Sequence, residues 1–255
     1  MTTGKARGAA LSLGQQRWPK LDGRHPLLLV PVGSVEQHGP HLPLCTDSLV
    51  ANAVTCAAAE RLGAEGEDVL VTPAVSFGAS GEHEGFPGTV SIGAEALGRV
   101  LTEIGRSACR WARGVIFVNG HGGNTATLVG AARLLRYEGR AVAWTSCGVP
   151  GGDGHAGDTE TSLLRHLAPW AVRVDLAERG ATEPLTTLMP RLVSGGVRSV
   201  SPNGVLGDPT RSSAERGREI FGAMVRALVT ELRLPDVADD GRLGRSTDQV
   251  PVGAP

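Results

Sequence analysis

Leu27-Leu28-Leu29-Val30-Pro31-Val32-Gly33-Ser34-Val35-Glu36-Gln37-His38-Gly39-Pro40-His41-Leu42-Pro43-Leu44-Cys45-Thr46-Asp47 is the stretch whose reading decides the fold. Its opening, 27–32, is a continuous apolar run of the kind found in parallel strands covered on both faces. The run then gives way to a loop punctuated by Gly and Pro that carries Glu36, His38 and His41. Glu36 and His38 are two positions apart, and in extended chain alternate residues share a face. A carboxylate and an imidazole therefore face one spot, and Asp47 returns nine residues after His38. Oxygen and nitrogen donors of this hardness suit Zn²⁺, Fe²⁺ or Mn²⁺.

Working outward, the same grammar repeats. Asp47-Ser48 reads as the cap of a helix running through Leu62 to about Gly63. Val69 to Val75 is a second strand, followed by a long Gly-rich loop with Glu82 and His83. Helical periodicity covers Ile92 to Trp111, and Gly114 to Val118 is a third strand running into Asn119-Gly120-His121-Gly122-Gly123-Asn124. A helix follows to about Tyr137, then a strand over Ala141–Ser146. His155 and Glu160 lie just before and at the start of a helix at Thr161–Leu167. Ser201-Pro202-Asn203-Gly204 reads as a turn, and an amphipathic helix spans about Ala214 to Leu232. Strands alternating with helices predict an α/β fold, a mainly parallel sheet with helices on both faces. In such a sheet the carboxyl ends of the strands share one edge, where ligands bind. Residues far apart in sequence thus converge on one crevice.

Composition narrows the function classes. A chain of 255 residues suits one large domain, expected over 13–234, with 1–12 a mobile leader and 235–255 a disordered tail. Lys and Arg total 25 against 26 Asp and Glu, a net charge of −1 without a basic footprint for nucleic acid. Cys45, Cys56, Cys109 and Cys147 lack C-x-x-C spacing and read as reduced, mostly buried thiols, with Cys45 only a weak ligand candidate. The N-terminus is too polar for a signal segment, and no apolar run reaches membrane-helix length. The expectation is a soluble cytoplasmic protein. Trp18, Trp111, Trp144 and Trp170 are expected to serve packing.

The Gly-rich turn around His121 lacks the Lys-Ser/Thr of a phosphate loop, and with His at its centre it reads as a metal-ligating turn. At this point a resemblance emerges. Gly33 to Pro43 with Asp47, Glu82 to Thr89, Asn119 to Asn124, and His155 to Ser162 resemble the creatininase family of metal-dependent amidohydrolases, over roughly residues 25–170. The resemblance implies a three-layer α/β/α fold, often hexameric. It implies two divalent ions per subunit, Fe²⁺ or Zn²⁺ with Mn²⁺ as a third candidate. Glu36, Asp47 and His121 would hold one, and His38, Asp47 and Glu160 the other. Asp47 would bridge. Two departures from creatininase proper argue against creatinine as substrate: Gly123 stands where that enzyme has Glu, and Gly151 where it has Trp. The Gly78-Ala79-Ser80-Gly81-Glu82-His83 and 201–210 stretches are similar to the family's mycofactocin-system branch. That similarity implies a cytoplasmic peptidase releasing a modified C-terminal Val-Tyr unit from a ribosomally made precursor peptide.

The expected chemistry follows. Two ions sharing Asp47 would lower the pKa of a bound water toward neutrality and polarise the scissile carbonyl. His155 is the expected general acid for the leaving amine, with support of a ligand by hydrogen bonding as its competing role. His41, Glu82, His83, Asn119 and Asn124 are expected to line the substrate or to support the ligands, a surface loop being the competing reading for Glu82 and His83. Two other functions stay open: hydrolysis of a small amide, such as a formamidopyrimidine, and non-catalytic presentation of a peptide by a metal-binding partner protein.

Overall fold

The computed structural model describes residues 11–149, 151–233 and 236–244. Four parallel strands, β1 (Leu27–Val32), β2 (Val69–Val71), β3 (Gly114–Asn119) and β4 (Val142–Ser146), form one sheet in the order β2-β1-β3-β4. Helices α1 (Thr46–Ala64), α2 (Gly93–Ala108), α3 (Thr125–Tyr137), α4 (Asp158–Leu167), α5 (Leu185–Val200) and α6 (Ala214–Arg233) cover it.

The strand alternation sorts the two cores. Leu29, Val69, Val71, Ile116, Val118 and Ala143 face a core built with α1, α4 and α6. Leu28, Val30, Leu70, Val115, Phe117 and Trp144 face the opposite core, built with α2 and α3. The sheet is thus the middle of three layers, and its strands need apolar residues at every position. Pro31 in the central strand looks anomalous, since proline cannot donate to a ladder. Odd-numbered residues of β1 turn their backbone toward β2: Leu27 N–H donates to Asp68 O, and Leu29 O and Pro31 O accept from Thr72 and Val75. Beyond Val71 the β2 segment breaks at Pro73 and returns only as a bridge at Val75, so the missing donor of Pro31 falls at this gap.

Several boundaries differ from expectation. The strand expected to reach Val75 ends at Val71. Helix α4 begins at Asp158 rather than Thr161, which places Glu160 inside its first turn. Asp47 does not cap α1; Cys45 holds that position and Asp47 lies in the first turn with its carboxylate directed into the site. Trp18 and Trp170 are exposed at 77% and 83%, so they do not serve packing, whereas Trp144 is buried. Cys45 is exposed, outside every donor group described below.

The expected ends also change. Leu11 packs on the core and Ser12 bridges Val71, although both fall in the expected leader. Residues 236–244 fall in the expected tail, yet Leu243 is buried and its N–H bonds Trp144 O. The Trp144 indole N–H donates to Asp240 O at 3.0 Å. Residues 1–10 and 245–255 lie outside the described part. No helix among the described residues is long and apolar enough to cross a membrane.

Candidate metal centre

Every strand delivers one piece of the site from its carboxyl end. The loop after β1 carries Glu36, His38 and His41 and leads into α1 with Asp47. The loop after β2 carries Glu82 and His83, β3 ends two residues before His121, and the segment after β4 brings His155 and then Glu160 on α4. Glu36 and His38 are fully buried, and Asp47, His83, His121 and His155 nearly so.

Among the described residues, three groups of donors lie close enough to hold an ion: Glu36, Asp47 and His121; His38, Asp47 and Glu160; and Glu36, His38 and His155. The first two share Asp47. Its Oδ1 lies 3.1 Å from His38 Nε2 and its Oδ2 lies 3.3 Å from His121 Nδ1. Ser34 Oγ, which the sequence reading overlooked, donates to Asp47 Oδ2 at 2.7 Å. The N-terminal turn of α1 also favours a carboxylate there. Burial works against the Asp47 charge, but His38 and His121 outweigh it and hold the carboxyl well below its usual range. His38 Nδ1 lies 3.1 Å from Glu36 O, a backbone acceptor, so Nδ1 donates to it and Nε2 faces the centre.

Glu36 is the diagnostic residue. Both of its carboxylate oxygens are buried without a hydrogen-bond partner, although Oε1 lies 3.1 Å from His121 Nδ1 and 3.3 Å from His83 Nε2. Buried polar atoms are almost always paired, and an unpaired carboxylate among imidazoles fits a cation as its missing partner. The donor set, carboxylate and imidazole without thiolate, suits Zn²⁺, Fe²⁺ and Mn²⁺ alike.

Glu160 differs in being partly open, with a side chain 26% exposed. Its Oε2 accepts from Ala156 N–H at 2.6 Å and lies 3.9 Å from His38 Nε2. Ala156 holds a left-handed conformation (φ 52°), the one positive φ outside glycine among the described residues. Backbone strain of that kind persists only where surrounding contacts fix it. Here Ala156 N–H donates to Glu160, and the preceding His155 exchanges backbone hydrogen bonds with Leu206. Burial pushes the Glu160 carboxyl up to about 7, His38 opposing and Asp47 adding.

The remaining expected residues divide. Asn119 and Asn124 support the turn that carries His121: Asn119 Nδ2 donates to His121 O, and Asn124 bonds Gly33 O and Ala79 N–H, tying three strand-end loops together. His41 is buried outside the donor groups, its Nε2 2.8 Å from Thr161 Oγ1 on α4. Burial and nearby His38 lower its pKa to about 4. His83 is no surface-loop residue; its ring stands 4.5 Å from that of His155. Glu82 is half-buried with Oε1 3.4 Å from His121 Nε2. A Cβ at Gly123 would collide with both of those atoms, so Glu82 occupies the room that a side chain at 123 would need.

A parallel α/β sheet with a cluster of buried carboxylates and imidazoles at its carboxyl edge defines a protein class: scaffolds for metal-assisted hydrolysis. The creatininase model, described as creatinine amidohydrolase, matches residues 14–232, and the chain belongs to this family. It is 52% identical over 222 residues to a mycofactocin precursor peptide peptidase of Mycolicibacterium smegmatis, covering 87% of this chain and 90% of that protein. A solved mutant creatininase, with a tryptophan replaced by phenylalanine, superposes with a TM-score of 0.74 at 29% identity, over 88% of this chain and 98% of the other. A structure described as Creatininase Mn gives 0.72 at 28% identity, with 88% and 97% covered.

Proposed function

We propose that this protein is a metal-dependent peptidase that releases the modified C-terminal Val-Tyr unit from the mycofactocin precursor peptide. The observation that carries the reading is the 52% identity, over nearly the whole chain, to a relative named for that activity. The donor geometry supports it, because amide hydrolysis needs an activated water and a stabilised oxyanion, and divalent cations can supply both.

In this reading Glu36, Asp47 and His121 hold one divalent ion and His38, Asp47 and Glu160 a second, Fe²⁺ or Zn²⁺ with Mn²⁺ as a further candidate. When bound, the ions supply Lewis acidity to the scissile carbonyl and to water. Asp47 keeps the two positions adjacent, and Ser34 keeps Asp47 oriented. His155 is neutral, since burial and the neighbouring His38 and His83 hold its pKa well below the ordinary value. A neutral imidazole begins as a base: His155 takes a proton from the attacking water and hands it to the leaving amine. The expected role as acid thereby becomes the second half of a shuttle. Glu82 and His83 line the same crevice. The protein would work in the cytoplasm as a homo-oligomer, hexameric by family resemblance, which light scattering tests.

The creatininase structural match favours a second reading, hydrolysis of a small cyclic amide. One experiment separates them. Protein loaded with Fe²⁺ or Zn²⁺ is incubated with modified precursor peptide, and fragments are followed by mass spectrometry. Release of the Val-Tyr fragment, abolished by chelation, is expected. Intact peptide alongside turnover of a small amide would replace the peptidase reading with the second.

A further inference from the structure

Gln37 stands between two candidate ligands, yet an amide neither titrates nor binds these ions strongly. The structure buries it where three loops meet. Its Nε2 lies 2.9 Å from His83 Nδ1, 3.1 Å from Gly204 O and 3.1 Å from His155 Nε2. Its Oε1 accepts from Gly39 N–H at 2.9 Å, and its backbone O lies 2.8 Å from His155 Nε2. Reversing the amide would set oxygen against Gly204 O and NH₂ against the Gly39 N–H, so its orientation is fixed by its partners.

Counting hydrogens then settles both rings. A carbonyl only accepts, so His155 Nε2 carries a proton and gives it to Gln37 O. That nitrogen can no longer accept, and the two amide hydrogens of Gln37 go to His83 Nδ1 and Gly204 O. His83 is left with its proton on Nε2, 3.3 Å from Glu36 Oε1. His155 is left with bare Nδ1, which lies 3.9 Å from Glu36 Oε1.

We propose that Gln37 is a positioning residue that sets the protons of two histidines beside Glu36: His83 as an N–H donor toward that carboxylate, His155 with an open Nδ1 facing the site. The opposite tautomer of His83 would put a lone pair against the carboxylate. The latch is the turn at 201–204. Gly204 has φ 80°, and a Cβ there would overlap the Gln37 side-chain oxygen. Ser201 O and Asn203 Oδ1 hold that turn by accepting from Gly204 N–H and Val205 N–H.

The proposal deepens the hydrolytic reading of this site, but its decisive test needs no turnover. Imidazole ¹⁵N spectra of the metal-free full chain should show His83 and His155 each protonated at Nε2. Gln37→Glu keeps the volume and the acceptor for Gly39 but removes both donors, and should move the His83 proton to Nδ1. In the metal-loaded peptidase assay, kcat of this variant should fall about 10–100-fold with KM moving less, as for loss of a ligand-orienting contact. Wild-type His83 protonated at Nδ1, or unchanged His83 signals in Gln37→Glu, overturns the proposal. Should Gln37→Glu fail to fold, Gly204→Ala displaces the same amide and must alter the His83 signals; unaltered signals overturn the proposal equally. Expected spectra in a chain that leaves the peptide intact would uphold the proposal and remove the peptidase reading alone.

Discussion

The two donor groups that share Asp47 sit side by side and differ in kind. Glu36, Asp47 and His121 form a closed set: each is buried, and the Glu36 carboxylate has only imidazole nitrogens near it, His121 Nδ1 at 3.1 Å and His83 Nε2 at 3.3 Å. His38, Asp47 and Glu160 form a half-open one, with Glu160 on a helix, partly exposed and already accepting from Ala156. A donor that is buried and unsatisfied gains most from a cation, while a donor with a partner and access to water gains less. On the two-ion reading proposed above, the closed group would be the tighter position and the half-open one the position that a substrate reaches.

The most severe way to break this comparison is Asp47→Ala, which removes the shared donor. Both equivalents of metal should be lost by elemental analysis, and cleavage should fall at least about 10³-fold, since paired ions act as one catalytic unit. Next, Glu36→Gln and Glu160→Gln should separate the groups. Glu36→Gln is expected to lose one tightly held equivalent, because an amide replaces the charged donor. Glu160→Gln should keep the tight equivalent and lose the weaker one. A Glu36→Gln variant that retains both ions would erase the distinction.

A pH series sharpens the same contrast from the imidazole side. In the metal-free chain burial works against the His38 charge, yet Asp47 and Glu160 win and raise its pKa to about 9. A raised folded-state value adds stability that is complete below the unfolded value of about 6.5 and disappears as pH climbs through about 9. A metal must displace that proton, so its binding strengthens over the same interval. The increase in melting temperature on adding Zn²⁺ should grow from pH 6.5 to 9; an increment that shrinks would refute this. The smallest effect is expected from Ser34→Ala, which takes one hydrogen bond from Asp47 and should weaken metal affinity through about 1.5–3 kcal/mol.

How much of this was legible in the sequence follows from what kind of signal each part leaves. Fully apolar strands ending in Gly-rich loops gave away the parallel sheet, and Glu36 with His38 gave away its working edge. Asp47 as a shared donor came from family resemblance, since its partners lie on three other elements. Helix α5 left no readable trace: Pro190 interrupts its pattern and Gly196, at φ 67°, breaks its backbone. Gln37 was silent because its role depends on which atoms face an amide. Residues 236–244 look like a polar tail, yet Leu243 and Val237 pack on the core and two backbone bonds tie the segment to Trp144, which its sparse apolar pattern does not announce.

The two ends of the described chain have a consequence for assembly. Ser12 bridges Val71 at the β2 margin and Arg242 bridges Trp144 at the β4 margin, so each outer strand meets a short piece of its own chain. An uncovered strand invites pairing with another molecule and, through that, aggregation. Copies that joined by extending the sheet would first have to peel these segments away. Among the described residues, self-association through helices and loops meets no such obstacle, and there exposed side chains rather than main-chain amides choose the partner.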